Sequence, residues 1–231
     1  MLNYYFGDTI DNFFRKNTEE IIGTITLSNQ FDSNMNQNKS WKQQIEILKK
    51  SLVGLSGTIY FEFSIPRMGK RVDCILIIRN IVFVVEFKVG EKEYLSANYD
   101  QVWDYALDLK NFHKPSHNAI LVPILLATEA KDSAIQIIET SHDDQLIKPL
   151  KVNKINLGEV IRHCLRNLAD DLDIDGDEFI NGSYSPTPTI IEAAVSMYKN
   201  HSVDEITRRD ADAKNLTDTT NSVSKFGLGN N

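Results

Sequence analysis

Residues 58–88 read TIYFEFSIPRMGKRVDCILIIRNIVFVVEFK, and this segment carries the strongest strand pattern in the 231-residue chain. Its first part, 58–65, alternates in polarity and is rich in β-branched and aromatic residues, which is typical of a strand. Residues 71–78 and 81–89 predict two more strands, the second nearly all apolar, as expected of a strand covered on both faces. The two residues Arg79–Asn80 are short enough to join them as a tight hairpin.

Helical patterns precede these strands. The first segment predicts two short helices, one of them over 18–27 with Asn17 as its N-cap. Residues 28–39 predict a polar loop without apolar periodicity. We expect a better helix to open at Ser40, with Gln43 completing a capping box. Its apolar stripe consists of Trp41, Ile45, Leu48 and Leu52.

Further helices and a strand follow the segment. Residues 96–112 predict an amphipathic helix, and 118–127 predict a buried strand with Pro123 at an edge or a bulge. Another amphipathic helix is predicted over 156–169. This order indicates an α/β fold in which a central mixed β-sheet is flanked by helices.

Composition restricts the class of protein. The chain is 42% hydrophobic and 25% charged, which is typical of a globular protein and excludes collagen-like and wholly disordered chains. The longest apolar run, 119–127, is far shorter than the ~20 residues of a spanning helix. With no signal-peptide pattern at the N-terminus, we expect a cytoplasmic protein without a membrane partner. Cys74 and Cys164 predict reduced thiols, with a single disulfide as the alternative.

Charge is distributed unevenly along the chain. The net charge is −7, and the acidic excess lies within 121–181. A protein that coats nucleic acid through a broad basic face is therefore not expected. Acidic and basic residues balance within 60–120, where Arg67, Lys70 and Arg71 cluster, and we predict that these three side chains contact nucleic acid.

Asp73, Glu86 and Lys88 are the candidate chemical residues. If Ile78 pairs with Ile81 across the hairpin, Asp73 lies directly opposite Glu86, at a Cβ separation of ~5 Å. Two opposed carboxylates destabilise a bare sheet, whereas a divalent cation between them would make a hard-oxygen metal site. Lys88 would emerge on the same face as Glu86, where it could orient the attacking water or stabilise the phosphate. Solvated or ion-paired strand-end carboxylates are the alternative interpretation of the same pattern.

Four motifs in this order resemble those of PD-(D/E)XK nucleases. They are Glu62, GKRVD at 69–73, VVEFK at 84–88 and QVWDY at 101–105. The QxxxY element resembles the RecB-like branch. A longer similarity, which includes 40–43, 185–194 and 201–221, resembles the N-terminal nuclease-like region of Schlafen-group-3-like ATPase/helicases.

The resemblance implies roles for particular residues. Asp73, Glu86 and the backbone carbonyl of Phe87 would bind Mg²⁺ or Mn²⁺, and Lys88 would be the catalytic lysine. Gln101 and Tyr105 share one helix face, and would steady the site or a phosphate. Glu62 would be a further ligand, or else a solvent-facing strand residue.

The resemblance also implies a biological setting. It predicts a restriction-endonuclease-like domain over 1–182 and a C-terminal extension over 183–231 that leads toward an ATPase or helicase domain. The function implied is metal-dependent hydrolysis of nucleic acid, DNA more than RNA, in DNA processing or antiviral (antiphage) defence. An ATPase or helicase partner and a homo-oligomer are both compatible with it. The alternative is a catalytically silent module that binds nucleic acid or such a partner.

Two other segments need interpretation. The polar stretch 210–231 predicts a tail that is poorly ordered or docked on a partner. The acids of 171–176 match the opening of an EF-hand loop, but the later ligand positions do not match, so calcium binding is not expected.

Overall fold

The computed structural model describes residues 3–29, 35–140 and 144–184. The chain divides into two units, Met1–Thr187 and Pro188–Asn231, and all the described residues belong to the first. The predicted C-terminal tail, the helix expected over 189–199 and most of the predicted extension lie outside the described residues.

The described residues form a six-stranded mixed sheet whose strands lie in chain order. Neighbouring strands from β1 to β4 are antiparallel, and β5 and β6 add in parallel. The strands are β1 (Phe6–Thr9), β2 (Thr58–Ile65), β3 (Lys70–Ile78), β4 (Ile81–Lys88), β5 (Ile120–Ala127) and β6 (Leu150–Val152). The α/β class with a mixed sheet flanked by helices is therefore confirmed.

Helices cover both faces of this sheet. They are α1 (Ile10–Arg15), α2 (Thr18–Ser28), α3 (Met35–Ser51), α4 (Ser96–Phe112), α5 (Leu157–Leu168) and α6 (Gly176–Ile180). Buried side chains of α1, α2, α3 and α5 share one apolar core with the sheet, and those of α4 and α6 share a second core on the opposite face. A 3₁₀ helix, Lys114–Asn118, follows α4. Within the described ranges, no helix is long and apolar enough to cross a membrane.

The predicted hairpin between β3 and β4 is confirmed. Ile78 pairs with Ile81, and the register continues to the pair Cys74–Val85. Arg79 takes φ 57° in the turn, a left-handed conformation that a tight two-residue connection requires. Seven of the eight residues of β4 are buried, because α3 and α4 lie on opposite faces of it.

Local signals placed several helix ends correctly. Asn17 caps α2, and its side chain accepts from the Glu20 N–H while the Glu20 carboxylate accepts from the Asn17 N–H. The N-terminus of α3 was placed incorrectly. The helix begins at Met35, so Ser40 lies inside it and the expected N-cap at Ser40 is wrong. Residues 35–39 have no apolar stripe of their own, which is why the pattern placed them in a loop.

Four short elements were not predicted. They are β1, which precedes the two expected short helices, the 3₁₀ helix after α4, β6 and α6. Each is five residues or fewer, too short for a periodic signal. The acidic segment that matches the opening of an EF-hand loop contains a helix start, since the Asp175 carboxylate accepts from the Asp177 and Glu178 N–H groups.

Pro123 lies inside β5 with β4 paired along one side, so it does not mark a sheet edge. On its other side Leu121 pairs with Leu146 and Ile124 with Leu150, so the opposing segment has one residue more than β5 between these pairs, as at a bulge. Along β5 the N–H of Ile120 donates toward β4, and the N–H of Leu121 donates to Gln145 on the other side. This alternation turns the donor-free Pro123 nitrogen toward β6, whose pairing starts only at Ile124. No ladder hydrogen bond is lost there, so proline is tolerated.

The two cysteines are free and buried, as the preferred expectation had it. Cys74 lies in β3 and Cys164 in α5, and both belong to the core on the α3 side of the sheet. Burial raises the pKa of each thiol, that of Cys164 to about 12. Both side chains therefore act as small apolar groups.

Candidate active site

One row of residues crosses all six strands and contains the candidate acids. Phe6 pairs with Phe61, Phe61 with Cys74 and Cys74 with Val85. On β4 and β5 the row continues through paired residues, because Glu86 pairs with Leu125 and Leu125 with Lys151. One position further along each strand, the row therefore consists of Tyr5, Glu62, Asp73, Glu86, Leu125 and Lys151.

The sheet is irregular at Glu62 and Asp73. Glu62 has φ 55°, a left-handed conformation that is unusual for a residue with a side chain. Before this point Phe61 and Cys74 face the α3 side, whereas after it Phe63 and Val72 face the α4 side. Regular pairing of β3 with β4 also ends here, at Cys74–Val85. The break frees the Asp73 side chain to lie between the strands.

Asp73 bridges to β4 through its side chain. Its Oδ2 accepts a hydrogen bond of 2.7 Å from the Phe87 N–H, in place of a main-chain partner. Burial and then the neighbouring charges of Glu86 and Glu62 raise the pKa of Asp73 well above its usual value, while the Phe87 N–H and Lys88 oppose the shift. The two carboxylates thus lie close together at the end of the hairpin, as the register predicted.

Glu86 is the most enclosed of the acids, with 5% of its surface exposed. Its Oε1 accepts from Lys88 Nζ and from Gln101 Nε2, each at 3.0 Å. Its Oε2 is buried and has no donor within hydrogen-bonding distance, although the Asp73 N–H lies near enough to the carboxylate to lower its pKa. Burial raises the pKa of Glu86, and Lys88 opposes that shift. A buried carboxylate oxygen without a donor is costly, so it points to a missing positive group.

Helix α4 supplies the polar side chains that hold this arrangement. Gln101 Oε1 accepts from Lys88 Nζ at 2.9 Å, and its Nε2 also donates to the Tyr105 hydroxyl at 2.8 Å. Burial, followed by the charge of Glu86, raises the pKa of Tyr105. Gln101 and Tyr105 lie one turn apart, as their spacing predicted, and they join α4 to β4 at the site.

Glu62 lies near the two other acids and is partly exposed. Its Oε1 accepts from the Trp41 indole N–H at 2.8 Å. Burial raises the pKa of Glu62, against the effects of Trp41 and of the nearby Arg71. Glu62 adds to the negative charge felt by both Asp73 and Glu86. Both predicted roles of Glu62, a further metal ligand and a strand residue that reaches solvent, stay predictions.

The three predicted basic contacts have different surroundings. Arg67 forms an ion pair with Asp108, Nε to Oδ1 3.3 Å, and its guanidinium stacks on Phe112. Arg71 donates to the Glu62 carbonyl oxygen and covers the ring of Tyr5. Lys70 is exposed. Of the contacts described for these three residues, those of Arg71 are with the row that contains the acids, at Glu62 and Tyr5. Those of Arg67 are with α4.

Sequence reasoning missed three residues around this row. Trp41 was assigned to the core stripe of α3, which is correct, but its indole N–H also holds Glu62. Tyr5 and Lys151 lie in or beside strands that were not predicted. The signal for β6 was only the triplet Leu150, Lys151 and Val152, which is buried, exposed, buried.

The oxygens that could hold a divalent cation are those of Asp73 and Glu86, with Glu62 close by. The unpartnered Glu86 Oε2 fits such a role, since hard oxygen donors suit Mg²⁺ and Mn²⁺. In the part of the chain that the structure describes, no group of three or more His, Cys, Asp or Glu side chains has a metal-holding geometry. Two carboxylates with a main-chain carbonyl and water are a sufficient ligand set for Mg²⁺.

No protein-family model matches the chain, and neither does any curated protein or solved structure.

Proposed function

We propose that the protein is a Mg²⁺- or Mn²⁺-dependent nuclease with the PD-(D/E)XK fold, which hydrolyses phosphodiester bonds of nucleic acid. The observation that carries this proposal is the buried Glu86 oxygen without a partner, beside Asp73 and with Lys88 on the other oxygen. A scaffold has no reason to keep two repelling carboxylates in a sheet, since their burial is costly without a cation. The mixed sheet flanked by helices is consistent with the proposed fold.

Each residue has a role that follows from its contacts. Asp73 and Glu86 would hold the cation, with the Phe87 carbonyl as a main-chain ligand. The cation, when bound, supplies Lewis acidity toward a phosphoryl oxygen. The Lys88 ammonium group, 3.0 Å from Glu86 Oε1, would stabilise negative charge that develops on the phosphate. Gln101 fixes the position of Lys88, because it bonds both Lys88 and Glu86.

The finer parts of the proposal come from the sequence resemblance. They are the preference for DNA over RNA, a role in DNA processing or antiphage defence, and action together with an ATPase or helicase. A catalytically silent nuclease fold that binds nucleic acid or such a partner is the competing function, and the assay below separates the two.

The test is a cleavage assay with the full chain. Labelled single- and double-stranded DNA and RNA are incubated with Mg²⁺, with Mn²⁺ or with EDTA. We expect cleavage with either metal and none in EDTA. Glu86→Gln should abolish it, whereas Glu46→Gln, the same change at an exposed position of α3, should leave it unchanged.

Calorimetry with Mn²⁺ completes the test. Wild type should bind Mn²⁺, and Glu86→Gln should not. A wild-type protein that neither binds Mn²⁺ nor cleaves any substrate refutes the enzyme and leaves the silent module. Cleavage in EDTA contradicts the metal-dependent mechanism.

A further inference from the structure

A small cavity lies on the β6 side of the acidic row. It has a volume of about 280 Å³, and its lining includes Tyr99 of α4, Lys151 of β6, and Ser133, Ile135, Gln136 and Pro149. The Ser133 hydroxyl donates to the Lys151 carbonyl at 2.7 Å, which ties the segment around Ser133 to the strand. Its lining combines an aromatic ring, aliphatic side chains and a few polar groups. Such a lining is typical of a ligand site.

The cavity contains an aromatic ring beside a positive charge. Lys151 is exposed, and its Nζ lies 5.7 Å from the centroid of the partly exposed Tyr99 ring. A base stacks on an aromatic ring, and a phosphate is attracted by an ammonium group. Tyr99 therefore suits the base of a nucleotide, and Lys151 suits its phosphate.

The cavity lies close to the acids and has a fixed position relative to them. Lys151 pairs with Leu125, and Leu125 pairs with Glu86. Lys151 and Glu86 are thus two strand spacings apart, ~10 Å. Both side chains contact α4, because Gln101 bonds Glu86 and Tyr99 lies beside Lys151. A nucleic-acid strand that binds at Lys151 can therefore continue along α4 to Asp73 and Glu86.

We propose that Tyr99 and Lys151 form a binding site for an unpaired nucleotide next to the scissile phosphate, so that the enzyme acts on single-stranded nucleic acid or on single-stranded ends. This inference rests on the proposed function, because it assigns the substrate of the same site. The base enters the cavity against Tyr99, and its phosphate lies on Lys151.

The size of the cavity selects an unpaired base. The cavity of about 280 Å³ is close to the lower limit of ligand pockets, roughly 300 Å³, so we expect it to take a single base and no more. A base that is stacked and paired within a duplex presents only its edge, and it must leave the helix to enter such a pocket. Lys70 and Arg71 lie on the opposite side of the acids, at the start of β3, where the remaining strand would pass.

The test is a binding assay in EDTA with the full chain, so that cleavage does not enter the result. The probe is a fluorescein-labelled oligothymidylate, alone and annealed to its complement. We expect wild type to bind the single strand at least tenfold more tightly than the duplex. Lys151→Ala and Tyr99→Ala should each weaken single-strand binding about tenfold, while Tyr99→Phe should retain wild-type affinity.

Lys148→Ala is the matched control, because Lys148 is exposed just before β6 and lies outside the cavity lining. It should bind as wild type does. Lys151→Ala should also reduce the slope of log Kd against log salt by about 0.7, the loss of one phosphate contact on a single strand. With metal present, it should raise KM and leave kcat nearly unchanged.

The outcomes separate this inference from the proposed function. Equal affinity for single strand and duplex, or equal effects of Lys151→Ala and Lys148→Ala, overturns the nucleotide site even if the protein cleaves DNA. Loss of affinity in Tyr99→Phe equal to that in Tyr99→Ala overturns the stacking role. Tight, Lys151-dependent binding by a protein that never cleaves supports the site and refutes the nuclease.

Discussion

At the scale of single residues, the pair Asp73 and Glu86 determines what the site can do. Both carboxylates have raised pKa values, mainly because of burial; the charges of Glu86 and Glu62 raise that of Asp73 further, and Glu62 also raises that of Glu86. Without a cation, this repulsion lowers the free energy of unfolding. We expect Asp73→Asn to raise the Tm of the protein in EDTA at neutral pH, because one repelling charge is removed while an oxygen remains to accept from the Phe87 N–H.

The same variant should lose the response to metal. Wild type should gain stability as Mn²⁺ is added, since a ligand that binds only the folded state stabilises it. Asp73→Asn should show no such gain in a thermal-denaturation titration. If the variant is less stable than wild type in EDTA, then the carboxylate contributes stability without a cation and the metal assignment fails.

Lys88 should behave differently from the two acids. Its ammonium group bonds Glu86 and Gln101, and a protonated amine cannot ligate a cation. Lys88→Ala should therefore leave Mn²⁺ affinity unchanged or slightly higher by calorimetry. Cleavage should still slow by ~100-fold, the scale of losing one preorganised electrostatic group. Cleavage by Lys88→Ala at the wild-type rate would show that the motif arises by chance from strand composition.

At the scale of elements, the long periodic segments were predictable and the short ones were not. The bounds of β2 and α4 match the predictions from alternation and from the apolar stripe. β6 has three residues, and tertiary pairing with β5 creates it. Lys151 therefore could not be placed beside Leu125 from the sequence, although Asp73 and Glu86 could be placed together from the hairpin alone.

The C-terminal end of α4 gives a pH-dependent prediction. His113 is 1% exposed; it contacts Ser116, and its ring packs edge-on against Phe179 of α6. Burial lowers the pKa of His113 to about 4. In the unfolded chain the pKa is near 6.5, so that state takes up the proton first as the pH falls.

The unfolding free energy should therefore drop as the pH falls from about 6.5 to about 4, by roughly 3 kcal/mol in total, and this contribution should level off below that range. Urea denaturation at several pH values measures the slope. His113→Asn should lower stability at neutral pH but flatten this part of the profile, whereas the control His163→Asn should keep the wild-type slope. A slope that survives in His113→Asn would assign it to other groups.

At the scale of the whole molecule, the sheet brings together residues that are far apart in sequence. Tyr5, Glu62, Asp73, Glu86 and Lys151 come from five strands or their ends, and only the register of the sheet places them in one row. The centre of that row, Asp73 and Glu86, could be predicted from the sequence of the β3–β4 hairpin. The two ends of the row depend on β1 and β6, which have no strong local signal.

The surroundings of Lys70 and Arg67 differ and lead to different predictions for the two residues. Lys70 is exposed at the start of β3, whereas the side chain of Arg67 is 21% exposed, pairs with Asp108 and stacks on Phe112. We expect Lys70→Glu to weaken nucleic-acid binding and to make it less salt-dependent, with a change in unfolding free energy within about 0.5 kcal/mol. Arg67→Glu should instead destabilise the fold by ~3 kcal/mol, because it replaces the ion pair of the buried Asp108 with a second negative charge. Thermal denaturation and fluorescence anisotropy on both variants distinguish these effects. If Arg67→Glu melts like wild type and loses binding as much as Lys70→Glu, then Arg67 contacts the substrate directly and its pairing with Asp108 contributes little to the fold.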